Sequence, residues 1–264
     1  MTSSDFRCLR LDRDGDVLRV TIDHPDSKIN AVDDDLHHDL TALFRHLKQV
    51  DDARAILLTG SKGVFSVGGD FDWFKTLDSP RRVFDLHRDA KQMIWDLLDV
   101  QLPIVAAVNG HAMGLAANLA LFCDVIFMGE SALIADPHVK AGIVAGDGGT
   151  AIWPMTIGPA RAKEYLLTGD PLTARDAERL GLINHAVPDD ELDEAAMAFA
   201  KRLAAGAPMA VQYTKLAVNK LIKEALSVSF DAATGYEMVT MLSEDHGEAI
   251  ESFLNRRPPE FTGR

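Results

Sequence analysis

Two glycine-containing loops could supply backbone N–H groups for chemistry in this sequence. The first connects IVAAV, residues 104–108, to LAANLALF, residues 115–122, and ends in Gly114. IVAAV is typical of a buried strand, and LAANLALF repeats its apolar residues at helical spacing. The first N–H groups of a helix have no partner within it, so they can bind an anion or a developing oxyanion. The alternative is a tight turn that only packs a core helix.

The second loop is FSVGGD, residues 65–70, which follows the apolar segment AILLT at residues 55–59. Paired glycines let the backbone approach a ligand closely and present an N–H freely. This loop repeats the strand-to-glycine arrangement of the first, so two N–H groups could converge on one atom. Such a pair would polarise a thioester or ester carbonyl, and each donor can lower the barrier by about 3 kcal/mol.

Asn118, His138 and Asp147 are the candidate reactive side chains. Asn118 can orient a water or a substrate oxygen, but an amide is not a useful general acid or base. His138 titrates near neutral pH and could be a base, an acid or a structural histidine. Asp147 could act as an acid or base, or it could only cap the helix that begins in GGTAIW. Asp136 is expected to be a turn residue rather than a partner of His138.

Composition and charge exclude several classes of protein. The chain has 264 residues, 47% of them hydrophobic and 25% charged, as in soluble globular proteins of one or two domains. A formal net charge of −13 argues against a nucleic-acid or anionic-membrane surface. Cys8 and Cys123 are more typical of buried apolar residues than of a disulfide, which favours a reducing compartment.

Neither export nor metal binding is indicated by the sequence. Residues 1–16 lack an apolar signal-peptide core, and no stretch is long and apolar enough to span a bilayer. A cytoplasmic protein without membrane contact is therefore predicted. No group of His, Cys and acidic residues has metal-ligand spacing, so no metal is predicted.

The predicted elements that position these residues begin with a hairpin at residues 8–23, turning at Asp14-Gly15. Helices and strands then alternate, which favours a parallel α/β sheet or a coil of repeated ββα turns. Helical patterns dominate the last part of the chain, and their apolar stripes exceed what they can bury among themselves. A neighbouring subunit is expected to cover them. These predicted helices span residues 189–205, 209–225, 229–241 and 244–254.

Five segments occur in order from about residue 6 to the end: HPDSKINAV, FSVGGD, AAVNGHAMGLAANLALFCDV, GIVAGDGGT and FLNRRPPEFTGR. Together they resemble the crotonase superfamily, the enoyl-CoA hydratase/isomerase family. The resemblance implies an α/β fold with a ββα spiral over residues 1–200. It also implies a helical trimerisation region and tail over residues 201–264, assembled as a homotrimer or a dimer of trimers. The implied substrate is an acyl-CoA thioester, with coenzyme A present only as part of that substrate.

By the same resemblance, the N–H groups of Gly69 and Leu115 form an oxyanion hole for the thioester enolate. The loop around Lys28 and the backbone of the second glycine loop would hold the adenine end of coenzyme A. The residues implied in binding coenzyme A or substrate are Lys28, Asn30, Ser66, Gly68, Asp70, Phe71 and Gly114.

The chain departs from the family pattern at its acids. The two glutamates of enoyl-CoA hydratases fall on Asn118 and His138, whereas Asp147 resembles a third acidic position of dienoyl-CoA isomerases. We therefore expect an enoyl-CoA hydratase or isomerase that works through an enolate but hydrates short enoyl-CoA weakly. The alternatives are an enoyl- or dienoyl-CoA double-bond isomerase and a non-catalytic acyl-CoA-binding trimer. A peptidase is disfavoured, because Ser66 has no positioned lysine or histidine.

Overall fold

The computed structural model describes residues 5–264. Residues 1–4, part of the stretch considered for a signal peptide, lie outside the described residues. A six-stranded sheet has the order β1-β2-β3-β4-β6-β9, with β1 and β2 antiparallel and every other neighbouring pair parallel. Its strands are β1 Leu9–Asp14, β2 Val17–Ile22, β3 Ala55–Gly60, β4 Ile104–Val108, β6 Val125–Gly129 and β9 His185–Val187.

A three-stranded sheet follows the order β5-β7-β8, with β5 Ala112–Met113, β7 Leu133–Ala135 and β8 Leu172–Thr173. β4 lies in the first sheet and β5 in the second, and a helix follows them directly, which is one ββα turn. The predicted fold class is therefore confirmed. The predicted hairpin is confirmed as well, since β1 pairs with β2 from Leu9–Ile22 to Asp14–Val17.

Ten α-helices are described, together with a short 3-10 helix at His138–Ala141. Several begin at a side-chain cap; for example, Asp33 accepts a hydrogen bond from the Leu36 N–H at 3.0 Å. The helices are α1 Asp34–Leu47, α2 Phe71–Phe74, α3 Pro80–Asp99, α4 Leu115–Leu121, α5 Gly149–Ile157, α6 Pro159–Thr168, α7 Ala174–Leu180, α8 Leu192–Ala204, α9 Pro208–Met241 and α10 Glu244–Leu254.

The central strands are buried on both faces, which explains their continuous apolar runs. In β3, Ile56 and Leu58 join the large core that includes α1, α3 and α4. Ala55 and Leu57 point to the other side, into a smaller core under α8. None of the helices within residues 5–264 is long and apolar enough to cross a membrane. The cytoplasmic location and the domain boundary at residue 200 stay predictions.

The prediction of separate helices at residues 209–225 and 229–241 is wrong, because both belong to the 34-residue helix α9. Leu226, Ser227 and Val228 join them without glycine or proline. The Leu226 side chain is fully buried, and the Ser227 hydroxyl donates to the Lys223 carbonyl at 2.8 Å within the helix. The buried side chains of α9 recur at helical spacing: Lys215, Asn219, Leu226, Phe230, Ala233, Glu237 and Met241.

Lys215 joins α9 to the six-stranded sheet. Its buried Nζ donates to the Leu102 carbonyl at 2.8 Å and pairs with Asp124 Oδ2 at 2.8 Å. The same carboxylate oxygen accepts the N–H of Ile104 at 2.7 Å, at the start of β4. This ion pair, in which Lys215 is buried and Asp124 is partly buried, thus anchors α9 beside the strand that leads into the first glycine loop.

We predict that Lys215→Met lowers the free energy of unfolding by about 3 kcal/mol, because it leaves Asp124 without its cationic partner. Urea denaturation followed by circular dichroism measures the change. The control is Lys220→Met on the exposed side of α9, which should change stability by less than about 0.5 kcal/mol. Equal effects of the two substitutions would contradict an anchoring role for Lys215.

Candidate active site

A cavity of about 880 Å³ lies beside both glycine loops. This volume suits a small-molecule ligand. Most of its wall is apolar, with Met113, Ile143, Met241 and Phe253 among the lining residues. The polar side chains His87, His138, Asp147 and Glu237 also line it. An apolar cavity with a few convergent titratable groups is the usual form of an active site.

The backbone brings Gly69 and Leu115 to the same place. Ser66 and Ala112 form a parallel bridge, in which the Ser66 N–H donates to the His111 carbonyl at 3.1 Å and the Met113 N–H donates to the Ser66 carbonyl at 3.0 Å. Gly69 lies three residues after Ser66, and Leu115 lies three residues after Ala112. Both residues line the cavity. Within residues 5–264, the N–H groups of Gly69 and Leu115 have no hydrogen-bond partner.

Glycine is required at both loops by close approach and by backbone conformation. Gly68 has a φ of +79°, and a Cβ there would lie 2.7 Å from the Met113 carbonyl oxygen. A Cβ at Gly69 would lie 2.1 Å from Cζ of Phe74. Gly114, with a φ of +55°, turns the chain from β5 into α4. Side chains at these positions would separate the two loops or fill the space before their N–H groups.

Asn118 lies at the centre of the polar cluster and is fully buried. Its Nδ2 donates to Asp136 Oδ2 at 2.9 Å and to Asp147 Oδ1 at 2.6 Å. Its Oδ1 accepts the Nε1–H of Trp153 at 3.0 Å. Because these bonds occupy the amide, Asn118 positions the two acids instead of presenting an amide to water or substrate.

Asp136 holds His138, so the expectation that it is only a turn residue is wrong. The carboxylate is buried, and its Oδ1 bonds Nδ1 of the His138 ring. An ionised carboxylate only accepts hydrogen bonds, so Nδ1 carries the hydrogen and Nε2 faces the opposite way. Nε2 lies 3.5 Å from Asp147 Oδ2 and 3.7 Å from Glu237 Oε1. The short Asp-x-His spacing gave a local signal for this pair.

Asp136 and His138 each stabilise the charged form of the other. Burial disfavours both charged forms, but the mutual attraction of Asp136 and His138 outweighs it. The pKa of Asp136 is therefore lowered, with hydrogen bonds from His138 and Asn118 contributing. The pKa of His138 is raised well above its usual value by Asp136, Asp147 and Glu237. His138 is consequently a cation at neutral pH.

Asp147 has the properties of a proton-transfer group. Burial raises its pKa to about 7, and the negative charges of Asp136 and Glu237 add to this against the opposing effect of His138. Its Oδ2 has no hydrogen-bond partner among residues 5–264, since His138 Nε2 lies at an ion-pair distance only. The alternative of a helix cap is wrong, because Gly148 is the N-cap of α5 and no side chain caps it.

Sequence reasoning missed Glu237, His87 and Trp153. Glu237 on α9 and His87 on α3 are buried, and Glu237 Oε2 lies 3.0 Å from His87 Nε2. A signal for Glu237 was present, because it is an acid in register with Phe230, Ala233 and Met241 on the apolar stripe of α9.

The residues expected to bind coenzyme A or substrate divide into two groups. Lys28, Asn30 and Ser66 do not line the cavity. The Asn30 amide bonds the His24 N–H at 3.1 Å and the Ile22 carbonyl at 3.1 Å, and the Ser66 hydroxyl donates to the Asn30 carbonyl at 2.6 Å. Their side chains therefore stabilise the loops, and Lys28 is exposed. The lining residues are Gly68, Gly69, Asp70, Phe71, Gly114 and Leu115.

Asp70 has a local structural role, because its carboxylate caps α2 by accepting the N–H groups of Asp72 at 2.8 Å and Trp73 at 3.0 Å.

Sequence spacing did not reveal that Asp136, His138 and Asp147 bring possible metal-ligating atoms within 4.8 Å of one another. In this group the imidazole and the Asn118 amide already bond the carboxylates.

Comparison with known proteins agrees with this architecture. The sequence profile described as "Enoyl-CoA hydratase/isomerase" matches residues 12–264. A "Probable enoyl-CoA hydratase, mitochondrial" from Dictyostelium discoideum is 32% identical, over 95% of this chain and 89% of that protein. The crystal structure of an enoyl-CoA hydratase/isomerase from Mycobacterium paratuberculosis superposes with a TM-score of 0.89 at 36% identity, covering 93% of this chain and 98% of the other.

A second similar structure is that of a β-diketone hydrolase from the cyanobacterium Anabaena sp. PCC 7120, bound to (S)-3-oxocyclohexyl acetic acid. It has a TM-score of 0.85 and 28% identity, and the match covers 90% of this chain and 96% of that one. The ββα fold, the profile match over residues 12–264 and these relatives lead to one assignment. The chain belongs to the enoyl-CoA hydratase/isomerase family.

Proposed function

We propose that this enzyme forms the enolate of an acyl-CoA thioester and moves a proton between two carbons, so that it isomerises a double bond. The observation that carries the proposal is Asp147: a cavity-lining carboxyl with a pKa raised to about 7 and one oxygen without a hydrogen-bond partner within residues 5–264. A general acid or base works best when its pKa lies near the working pH.

The proposed reaction takes place between the backbone donors and the acid. The thioester oxygen accepts the N–H groups of Gly69 and Leu115, which stabilise the negative charge that develops on it. Asp147 takes a proton from a carbon next to the double bond, and the electron pair moves into the conjugated enolate. The same carboxyl then returns the proton to another carbon of the enolate, so that no atom is gained or lost. His138, held by Asp136, contributes a positive charge beside this step.

Hydration is the less suitable reaction for this site. It needs an acid or base at Asn118, and that amide is fully buried between Asp136, Asp147 and Trp153. A carboxylate at position 118 could only accept hydrogen bonds, so it would face Asp136 and Asp147 as a third acceptor. The two acids would also lose the Nδ2 donor that they share.

A second candidate function is hydrolytic cleavage of a 1,3-diketone. The likeness to the Anabaena β-diketone hydrolase favours it. Asp147, in its ionised form and beside the cationic His138, would take a proton from a water, which adds to one carbonyl; the carbon–carbon bond then breaks. The electron pair of that bond would form an enolate at the Gly69 and Leu115 N–H groups, and Asp147 would protonate its carbon. Both candidates use one enolate site.

In the thioester reaction, coenzyme A enters only as part of the substrate. We infer that the loop around Lys28 and the backbone from Ser66 to Asp70 hold its adenine end. The exposed position of Lys28 and the place of Ile29, Gly68 and Asp70 in the cavity wall support this route. Because the chain carries a net charge of −13, the anionic cofactor portion must be bound by such local groups.

We further propose that the protein is a homotrimer or a dimer of trimers, because α9 exposes an apolar surface. Val228 is 82% exposed, Val239 71%, and Tyr236 64%. Native mass spectrometry is expected to give three or six times the chain mass of 28.8 kDa. Val228→Asp should shift the population towards monomer, since it adds a charge to the apolar surface. A monomeric native protein would contradict this assembly.

We predict that Asp147→Asn slows conversion of a 3-enoyl-CoA to the 2-enoyl-CoA by at least about 100-fold, because the amide cannot accept the proton. Mass spectrometry and absorbance of the conjugated thioester measure it. Asp190→Asn, at an exposed position, is the control. Cleavage of cyclohexane-1,3-dione to a keto acid would favour the second candidate. Binding of thioesters without turnover of any would favour the non-catalytic trimer.

The pH profile should show the raised pKa of Asp147. Below about pH 7 this carboxyl is protonated in the folded enzyme and cannot act as a base, so kcat/KM should rise with pH and be half-maximal near 7. An aspartate with its usual pKa of 3.8 would give no rise in this range. A kcat/KM that stays constant from about pH 5.5 to about pH 8.5 would exclude Asp147 as the base.

A further inference from the structure

The peptide that joins Gly68 to Gly69 carries one of the two N–H groups that the proposed reaction needs at the substrate oxygen. A peptide between two glycines has no Cβ on either side to restrict its rotation, so it can flip at little cost. A flipped peptide would present the Gly68 carbonyl in place of the Gly69 N–H, and a carbonyl oxygen repels an enolate oxygen. Other parts of the chain must therefore hold the orientation of this peptide.

Val32 holds the peptide through two backbone hydrogen bonds. Val32 and Gly69 form a parallel bridge, in which the Val32 N–H donates to the Gly68 carbonyl at 2.8 Å and the Asp70 N–H donates to the Val32 carbonyl at 2.9 Å. A trans peptide is planar, so its C=O and N–H point in opposite directions. The bond to the Gly68 carbonyl therefore directs the Gly69 N–H away from Val32, and no group within residues 5–264 accepts it.

The loop that contains Val32 is fixed by Asn30, whose side chain is fully buried. Asn30 has a φ of +49°, a left-handed conformation that asparagine tolerates better than most residues with a side chain. Its Oδ1 accepts the His24 N–H at 3.1 Å. Its Nδ2 donates to three backbone carbonyls at 3.1, 3.3 and 3.3 Å, those of Ile22, Val64 and Phe65.

One amide thus joins the end of β2 to the start of the second glycine loop. The Ser66 hydroxyl adds a further bond between the two segments, since it donates to the Asn30 carbonyl at 2.6 Å. The position requires a side chain that both donates and accepts. An aspartate would turn only acceptors towards the three carbonyls, and an apolar side chain would leave them without this donor.

We propose that Asn30 is the positioning residue of the oxyanion hole, because its amide holds the loop from which Val32 sets the orientation of the Gly68–Gly69 peptide. Asn30 does not line the cavity, so it acts on the reaction only through Val32 and the glycine loop. The inference rests on the proposed enolate site, since the direction of the Gly69 N–H matters for catalysis only if an oxyanion forms there.

Asn30→Gly tests the proposal, because glycine can keep the left-handed backbone while the amide is removed. We expect kcat for isomerisation of a 3-enoyl-CoA to fall about 30-fold or more, with KM within about threefold of the native value. The reason is that a misdirected donor weakens binding of the transition state more than binding of the substrate. The pH of half-maximal kcat/KM should stay at about 7, because Asp147 is unchanged.

Asn219→Ala is the matched control. Asn219 is also a buried asparagine whose Nδ2 donates to a backbone carbonyl, that of Leu98 at 2.9 Å, but it lies on α9 and does not line the cavity. This variant should have a lower melting temperature and an unchanged kcat. If Asn30→Gly behaves in the same way, with a loss of stability and no loss of kcat, the role of Asn30 is only structural and the proposal is overturned.

Infrared difference spectroscopy measures the hydrogen bonds to the substrate oxygen without turnover. Butyryl-CoA, isotope-labelled at its thioester carbonyl, is a saturated ligand that cannot isomerise. Its C=O stretching frequency should fall when it binds to the native protein, because two N–H donors polarise the carbonyl. Asn30→Gly should lose most of this shift, and Asn219→Ala should keep it.

A full shift in Asn30→Gly would overturn this inference and leave the enolate site intact. A native protein that binds butyryl-CoA without any shift would overturn both, so the two failures are distinguishable. If Asn30→Gly does not fold, as judged by thermal denaturation, Ser66→Ala provides the same comparison, because it removes the hydroxyl that bonds the Asn30 carbonyl. If no thioester binds, labelled pentan-2-one replaces butyryl-CoA, and the same shift and the same loss are required.

Discussion

The site depends on one amide that separates two buried carboxylates. Without the Nδ2 hydrogens of Asn118, Asp136 and Asp147 would face each other as like charges with little solvent to screen them. The indole of Trp153 fixes the orientation, because its N–H bonds the amide oxygen and leaves the nitrogen for the acids. Position 149 must be small as well, since a Cβ on Gly149 would lie 2.1 Å from Asp136 Oδ2. Asn118 thus holds Asp136 and Asp147 in place, a role different from that of the family glutamate whose position it occupies.

Features of the fold that depend on local pattern could be predicted from the sequence. The hairpin follows from an Asp-Gly turn, and the central strands follow from apolar runs buried on both faces. The two glycine loops were also predictable as places where backbone N–H groups lack partners. The predicted break between residues 225 and 229 is wrong, because a local helical pattern does not show that Leu226 is buried. Packing of Leu226 in the core keeps the helix continuous there.

The side chains of the site were predictable only where they are near each other in sequence or stand out by type. His138 stood out because it falls where the family has a glutamate, and Asp147 because it is an acid among glycines; the structure places both at the cavity. The role of Asp136 was predicted wrongly, because a local turn preference does not show that its Oδ2 accepts a hydrogen bond from the buried Asn118 amide. Glu237 and His87 come from helices far apart in the chain, and their meeting depends on how α9 packs on α3.

The distribution of charge shows how a chain with an excess of acids could stabilise the anion of the proposed reaction. The net charge of −13 would repel an enolate, so stabilisation must come from dipoles and cations inside the cavity. In the proposed reaction, the N–H groups of Gly69 and Leu115 would supply dipoles that need not reorganise. His138 supplies a cation whose pKa is held high by Asp136, and the cost of burying that charge is offset by the same carboxylate. With Asp136 ionised for this purpose, its charge adds to burial in raising the pKa of Asp147. In the proposed reaction, the pair that places a cation beside the enolate would therefore also raise the pKa of the base that forms it.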